Sequence, residues 1–116
     1  MQASDPSLVL DRRQLKDITL DDDQMMRDVL AALIDDTSRQ LALLNVAIRQ
    51  QDFQRCMRLA HYSKGACANV GANRAAATLK RLEQDAARHA FDECSAGLKT
   101  LIEELDHLRQ EARAIS

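Results

Sequence analysis

The chain has 116 residues and a formal net charge of −2, with only one Pro, three Gly and three aromatics among many Ala and Leu. That composition excludes a sheet protein, which draws on β-branched and aromatic residues and frequent turns, and it suits one bundle of long helices. The shortage of glycine excludes a glycine-rich nucleotide loop, the slightly acidic balance argues against a general nucleic-acid binder, and no apolar run approaches the roughly 18 residues of a membrane span.

Residues 1–7 read as a flexible tail, polar and without a signal-peptide core. Asp11 is placed to cap a short helix through Ile18, with Leu15 and Ile18 facing inward. The run Asp21-Asp22-Asp23 then suits the positive end of a helix dipole. Behind it Met26, Val29, Leu30, Leu33, Thr37, Leu41, Leu44 and Ile48 recur at gaps of three and four. They predict one amphipathic helix from about Asp22 to about Gln50. Asp52 is the next N-cap. It opens a helix with Phe53, Cys56, Leu59, Ala60, Ser63, Cys67 and Val70 on its inner face, and Gly71 ends that helix.

A fourth helix runs from Asn73 to about Arg88, with Ala76, Leu79, Leu82 and Ala86 inward. The last runs from Phe91 to about Ala112 on a stripe of Cys94, Leu98, Leu101, Leu105 and Leu108. Short connections make neighbours antiparallel. The expectation is all-α: one domain spanning 1–116, an antiparallel four-helix bundle with a short additional N-terminal helix. An odd count of three cysteines, Cys56, Cys67 and Cys94, with no CxxC reads as buried reduced thiols in a cytoplasmic protein.

Charge is segregated along this framework. From Phe53 to Leu82 there is no Asp or Glu, but there are Arg55, Arg58, Lys64, Arg74, Lys80 and Arg81. That hairpin carries +6 and the remainder −8, out of 16 basic and 18 acidic residues. A basic face on an acidic chain suits a partner with an anionic site.

His61 lies inside that hairpin. At about 100° per residue it points about 150° away from the centre of the apolar stripe, so it faces outward. Its i+4 and i+7 neighbours are Gly65 and Ala68, which leave the ground on one side of the ring nearly bare. Arg58 and Lys64 flank it. A glycine inside a helix costs about 1 kcal/mol relative to Ala, and it makes sense here if another macromolecule must approach the ring. A neutral imidazole is a nucleophile near pH 7 and can hold a phosphoryl group on nitrogen. Mid-helix, no helix N-terminus is at hand to stabilise that group. Cations must do so, Lys64 first and Arg58 second. The hairpin turns at Gly71-Ala72, ten residues past His61. Glu83 on the returning helix is therefore level with the histidine, where it can accept from Nδ1 and leave Nε2 free.

These residues resemble the histidine phosphotransfer (HPt) domain family. The family pattern is His-x-x-Lys-Gly with a second glycine ten residues after the histidine, here His61, Lys64, Gly65 and Gly71. Leu79-Lys80-Arg81-Leu82-Glu83 resembles the family's trailing Leu-x-x-Leu-Glu. The resemblance covers about Leu8 to Ala112, and the stand-alone bacterial carriers of the HptB type are the most similar kind. One departure is Ser63, where the family usually has Leu. The resemblance implies a phosphocarrier in a multistep two-component phosphorelay and not an enzyme. His61 accepts a phosphoryl group from an aspartyl phosphate on a receiver domain and passes it to the aspartate of another. Lys64 balances its charge, and Glu83 orients the imidazole. Arg58, Gly65, Ala68, Met57 and Tyr62 serve docking and access. Partners are receiver domains of hybrid sensor kinases and response regulators, with no nucleic acid and no membrane. The chain would have no cofactor of its own, Mg²⁺ belonging to the receiver, and would act as a cytoplasmic monomer.

The rival reading from another class is an adaptor bundle that binds a protein partner through its basic hairpin without chemistry. A metal site is disfavoured because His61, His89 and His107 make no inward-facing metal pairing. Nucleic-acid binding is disfavoured because no aromatic beyond Tyr62 is available as a stacking platform.

Overall fold

The computed structural model describes residues 5–115, which form five helices. They are α1 (Arg12–Ile18), α2 (Asp23–Arg49), α3 (Phe53–Val70), α4 (Asn73–Ala87) and α5 (Phe91–Arg113). There is no strand among the described residues. The first three helices start at aspartates that local chemistry selects. Asp11, Asp22 and Asp52 each accept a hydrogen bond from the backbone N–H three residues on, at 3.1, 3.0 and 3.1 Å. Each such cap contributes about 1 kcal/mol by satisfying a donor that the helix cannot.

α2 packs on α3 and α5, and α4 packs on the same two helices, so the four long helices enclose one core. Leu30, Leu44, Leu79, Leu82, Leu101, Leu105 and Leu108 are fully buried there, each worth about 1.5–3 kcal/mol relative to exposure. The α5 stripe from Cys94 to Leu108 lies inside as its spacing requires. On α2 the buried set adds Ile34 and Ala47, while Val29 and Leu41 are half-buried at the edge of the core. All three cysteines are free and buried, and burial pushes the Cys67 and Cys94 thiols up to about 11.

One expectation at the N-terminus is corrected. Leu15 is buried, but Ile18 is half exposed. The helix stops at Ile18, and Thr19 takes the inner position, its hydroxyl donating to the Leu15 carbonyl at 2.7 Å. The expected tail, residues 1–7, lies largely outside the described residues. The Ser7 carbonyl accepts two hydrogen bonds from the Arg74 guanidinium, and the Leu8 carbonyl accepts from the Arg74 N–H at 2.9 Å. This segment and α1 lie against the turn between α3 and α4. Gly71 sits there at φ 94°, and a Cβ on it would stand 2.9 Å from the Asp11 carbonyl oxygen. Both the left-handed conformation and the close approach require glycine.

Candidate functional site

The α3–α4 hairpin builds the site. α3 turns its small and apolar side inward, with Cys56, Ala60, Ser63 and Cys67 buried. Its opposite side carries His61, whose side chain is 69 % exposed. Because α3 ends sharply at Gly71, α4 returns alongside it and brings Glu83 to the histidine. His61 Nδ1 lies 3.1 Å from Glu83 Oε2. A carboxylate only accepts, so this bond fixes the neutral ring with its proton on Nδ1 and its lone pair on Nε2.

Glu83 also holds Lys64. The ammonium donates to Glu83 Oε1 at 2.7 Å, so one carboxylate bridges the imidazole and the cation. Burial pushes the Glu83 carboxyl up, but the hydrogen bond and charge of Lys64, joined by those of His61, outweigh it and leave it below the usual glutamate value. Glu83 is therefore ionised at neutral pH. Helical spacing puts Lys64 beside the histidine but does not show that its resting partner is this acid.

Gly65 and Ala68 are both exposed, and a Cβ built on Gly65 meets no heavy atom within 4 Å. The ground beside the ring is open there. It is bounded near Ala68 by α1, whose Gln14 side-chain amide donates to the Ala68 and Asn69 carbonyls at 2.7 and 3.1 Å. On its other side His61 borders a shallow open depression, lined also by Met57, Arg58, Tyr62 and Glu83. Met57, Arg58, Tyr62 and Glu83 thus gather around one imidazole, and Lys64 joins them through Glu83.

Ser63 is buried, and its hydroxyl has no partner among the described residues. The departure from leucine therefore leaves both a smaller side chain and an unpaired polar atom in the core. Asp36, which accepts from the Tyr62 hydroxyl at 3.1 Å, was not anticipated. No spacing in the sequence marks it, because the contact joins α2 to α3. Packing gives no reason for glycine at Gly97, where a Cβ would meet Leu82 Cδ1 at an ordinary 3.6 Å. No group of three or more metal-binding side chains placed to hold an ion occurs among the described residues, and no described helix is long and apolar enough to cross a membrane.

Residues 28–111 match the Hpt domain family. Among solved structures, the chain is similar to histidine-containing phosphotransfer protein B (HptB) from Pseudomonas aeruginosa PAO1. The identity is 25 % and the TM-score 0.84, over 93 % of this chain and 94 % of that one. It is also similar in fold to a candidate histidine-containing phosphotransfer protein from rice, at 21 % identity and a TM-score of 0.81, over 92 % of this chain and 79 % of that one. Among proteins of curated function, none matches the chain significantly.

Proposed function

This chain belongs to the Hpt domain family and has a histidine phosphotransfer role in a phosphorelay, and within that role we propose that His61 carries the phosphoryl group on Nε2. The observation that carries this reading is an exposed imidazole whose Nδ1 is held by Glu83 while the ground beside it, at Gly65, is uncovered.

The chemistry follows from that geometry. The Nε2 lone pair attacks the phosphorus of an aspartyl phosphate on a receiver domain. The N–P bond forms, the P–O bond to the aspartate breaks, and the carboxylate leaves with the electron pair. The imidazole becomes a phosphorylated cation, and its Nδ1 proton stays in the hydrogen bond to Glu83, which stabilises that charge. No net proton moves. In the second transfer a receiver aspartate attacks phosphorus and neutral imidazole leaves. Lys64 stands beside the phosphoryl group and offsets its negative charge. Arg58 supports it from the far side of the ring. Met57, Tyr62 and Ala68 belong to the surface on which the receiver docks, and Gly65 lets its active site reach Nε2.

Donor and acceptor are receiver domains of hybrid sensor kinases and response regulators. They supply Mg²⁺ and most of the catalytic groups, and this chain needs no cofactor of its own. It acts as a monomeric carrier in the cytoplasm. The test mixes the purified protein with a labelled phosphorylated receiver and then chases with an unlabelled one. Acid-labile, base-stable label should enter the wild type and leave in the chase. Equal labelling of His61→Gln would overturn the assignment, and an unlabelled wild type whose partner function survives His61→Gln would favour an adaptor.

A further inference from the structure

Tyr62 is the residue after the proposed carrier histidine, and it is 55 % exposed. No core holds its ring. An exposed tyrosine on a helix would ordinarily exchange between rotamers. Here its hydroxyl reaches across to α2 and donates to Asp36 Oδ2 at 3.1 Å. The acceptor is itself held, because Asp36 Oδ1 receives the Arg39 guanidinium at 3.5 Å and Arg39 also bonds Asp35. The Asp36 side chain is only 28 % exposed. The ring is thus pinned as one wall of the depression that His61 borders.

We propose that Asp36 is a positioning residue of the docking face, one that holds Tyr62 in place and thereby sets how tightly a receiver domain binds beside His61. This rests on the phosphotransfer reading. A pinned aromatic side chain offers contact area with little ordering left to do on association, and pre-organisation of that kind appears as affinity. Asp36 does not touch the transferred group, so its effect belongs to docking and not to the N–P chemistry. The hydrogen bond and negative charge of Asp36 also raise the Tyr62 phenol above its usual value. Tyr62 is the only tyrosine in a chain without tryptophan, so its near-ultraviolet absorbance reads this contact alone.

The experiment measures phosphotransfer from a phosphorylated receiver at increasing receiver concentration, with the full chain. Asp36→Ala and Tyr62→Phe should each raise KM about three- to tenfold, the range expected for one hydrogen bond, with kcat unchanged. The double variant should be no worse than either single one. Asp36→Asn keeps an acceptor oxygen and should restore KM to within about twofold of wild type. In parallel, absorbance titration of the free protein should place the Tyr62 midpoint lower in Asp36→Ala than in wild type. Multiplicative losses in the double variant, or Asp36→Asn as weak as Asp36→Ala, would overturn the proposal in favour of a direct charge contact with the receiver. A shifted titration with unchanged KM would also overturn it. If the wild type takes no label while the titration shifts as expected, the phosphotransfer reading fails and the Tyr62–Asp36 contact stands.

Discussion

Gly65 offers a test in which stability and transfer should move in opposite directions. Its backbone is not in the left-handed region, and a Cβ placed on it meets no heavy atom within 4 Å. Alanine therefore fits without strain, and the helix interior should gain about 0.8–1.0 kcal/mol. Unfolding entropy near 60 °C is about 2.1 cal/mol/K per residue, so this chain of 116 residues loses about 0.24 kcal/mol of stability per degree at its midpoint. The melting temperature of Gly65→Ala should rise by about 4 °C, and that of Gly65→Gln by somewhat less. The position is one turn beyond His61 on the same face, so the glutamine side chain extends into the path of the incoming receiver. Transfer should slow at least about tenfold, or about 1.4 kcal/mol in barrier, with a smaller loss for alanine. Thermal melts and single-turnover transfer from a phosphorylated receiver read the two effects. Gly97→Ala is the control: it meets Leu82 at an ordinary distance and should stabilise the fold without slowing transfer. Wild-type transfer by Gly65→Gln would show the bare ground to be incidental, and a lower melting temperature for Gly65→Ala would show that the site is not open.

Three further substitutions address the acids and the lysine. Glu83→Gln leaves Lys64 without its counter-ion and Nδ1 without a charged acceptor, and should slow transfer by about tenfold, from the loss of a charge-assisted hydrogen bond. The Glu83 carboxyl lies below its usual value in the fold. Its contribution to stability is therefore complete above the ordinary glutamate value and fades as pH falls through the folded one, so acid denaturation curves of wild type and Glu83→Gln should converge at low pH. Lys64→Ala should reduce transfer severalfold and less than His61→Gln, because it removes charge and not the nucleophile. Loss equal to that of His61→Gln in the same assay would give Lys64 a different role. Glu104 is buried, with no partner for Oε1 among the described residues, and burial raises its carboxyl. The native state then holds that proton more tightly than the unfolded chain, so stability drops as pH climbs through the folded value. Glu104→Gln should be more stable at neutral pH by on the order of 1 kcal/mol in urea unfolding.

Much of this site was legible because it depends on local rules. Asp11, Asp22 and Asp52 cap helices through hydrogen bonds spanning three residues, and Gly71 stops α3 for a conformational reason. These signals place the ends of the elements. The outward direction of His61 follows from the helical period, and the level of Glu83 follows from counting along both arms of a tight hairpin. What escaped depends on contacts between elements. The inward place expected for Ile18 goes to Thr19, because the short helix ends one residue before the chain turns. The Tyr62–Asp36 contact depends on the offset between α2 and α3, which the packing of their faces decides and no local spacing encodes. The resting partner of Lys64 likewise becomes visible only once α4 lies beside α3.

Everything proposed for this site turns on His61 being phosphorylated on Nε2 while Nδ1 keeps its proton against Glu83. Phosphorus and nitrogen NMR of the protein after phosphorylation by a receiver observes both nitrogens at once. One phosphohistidine is expected, with phosphorus coupled to Nε2 of His61 and a proton on Nδ1. Phosphorus on Nδ1, or on any residue other than His61, would be incompatible with this mechanism.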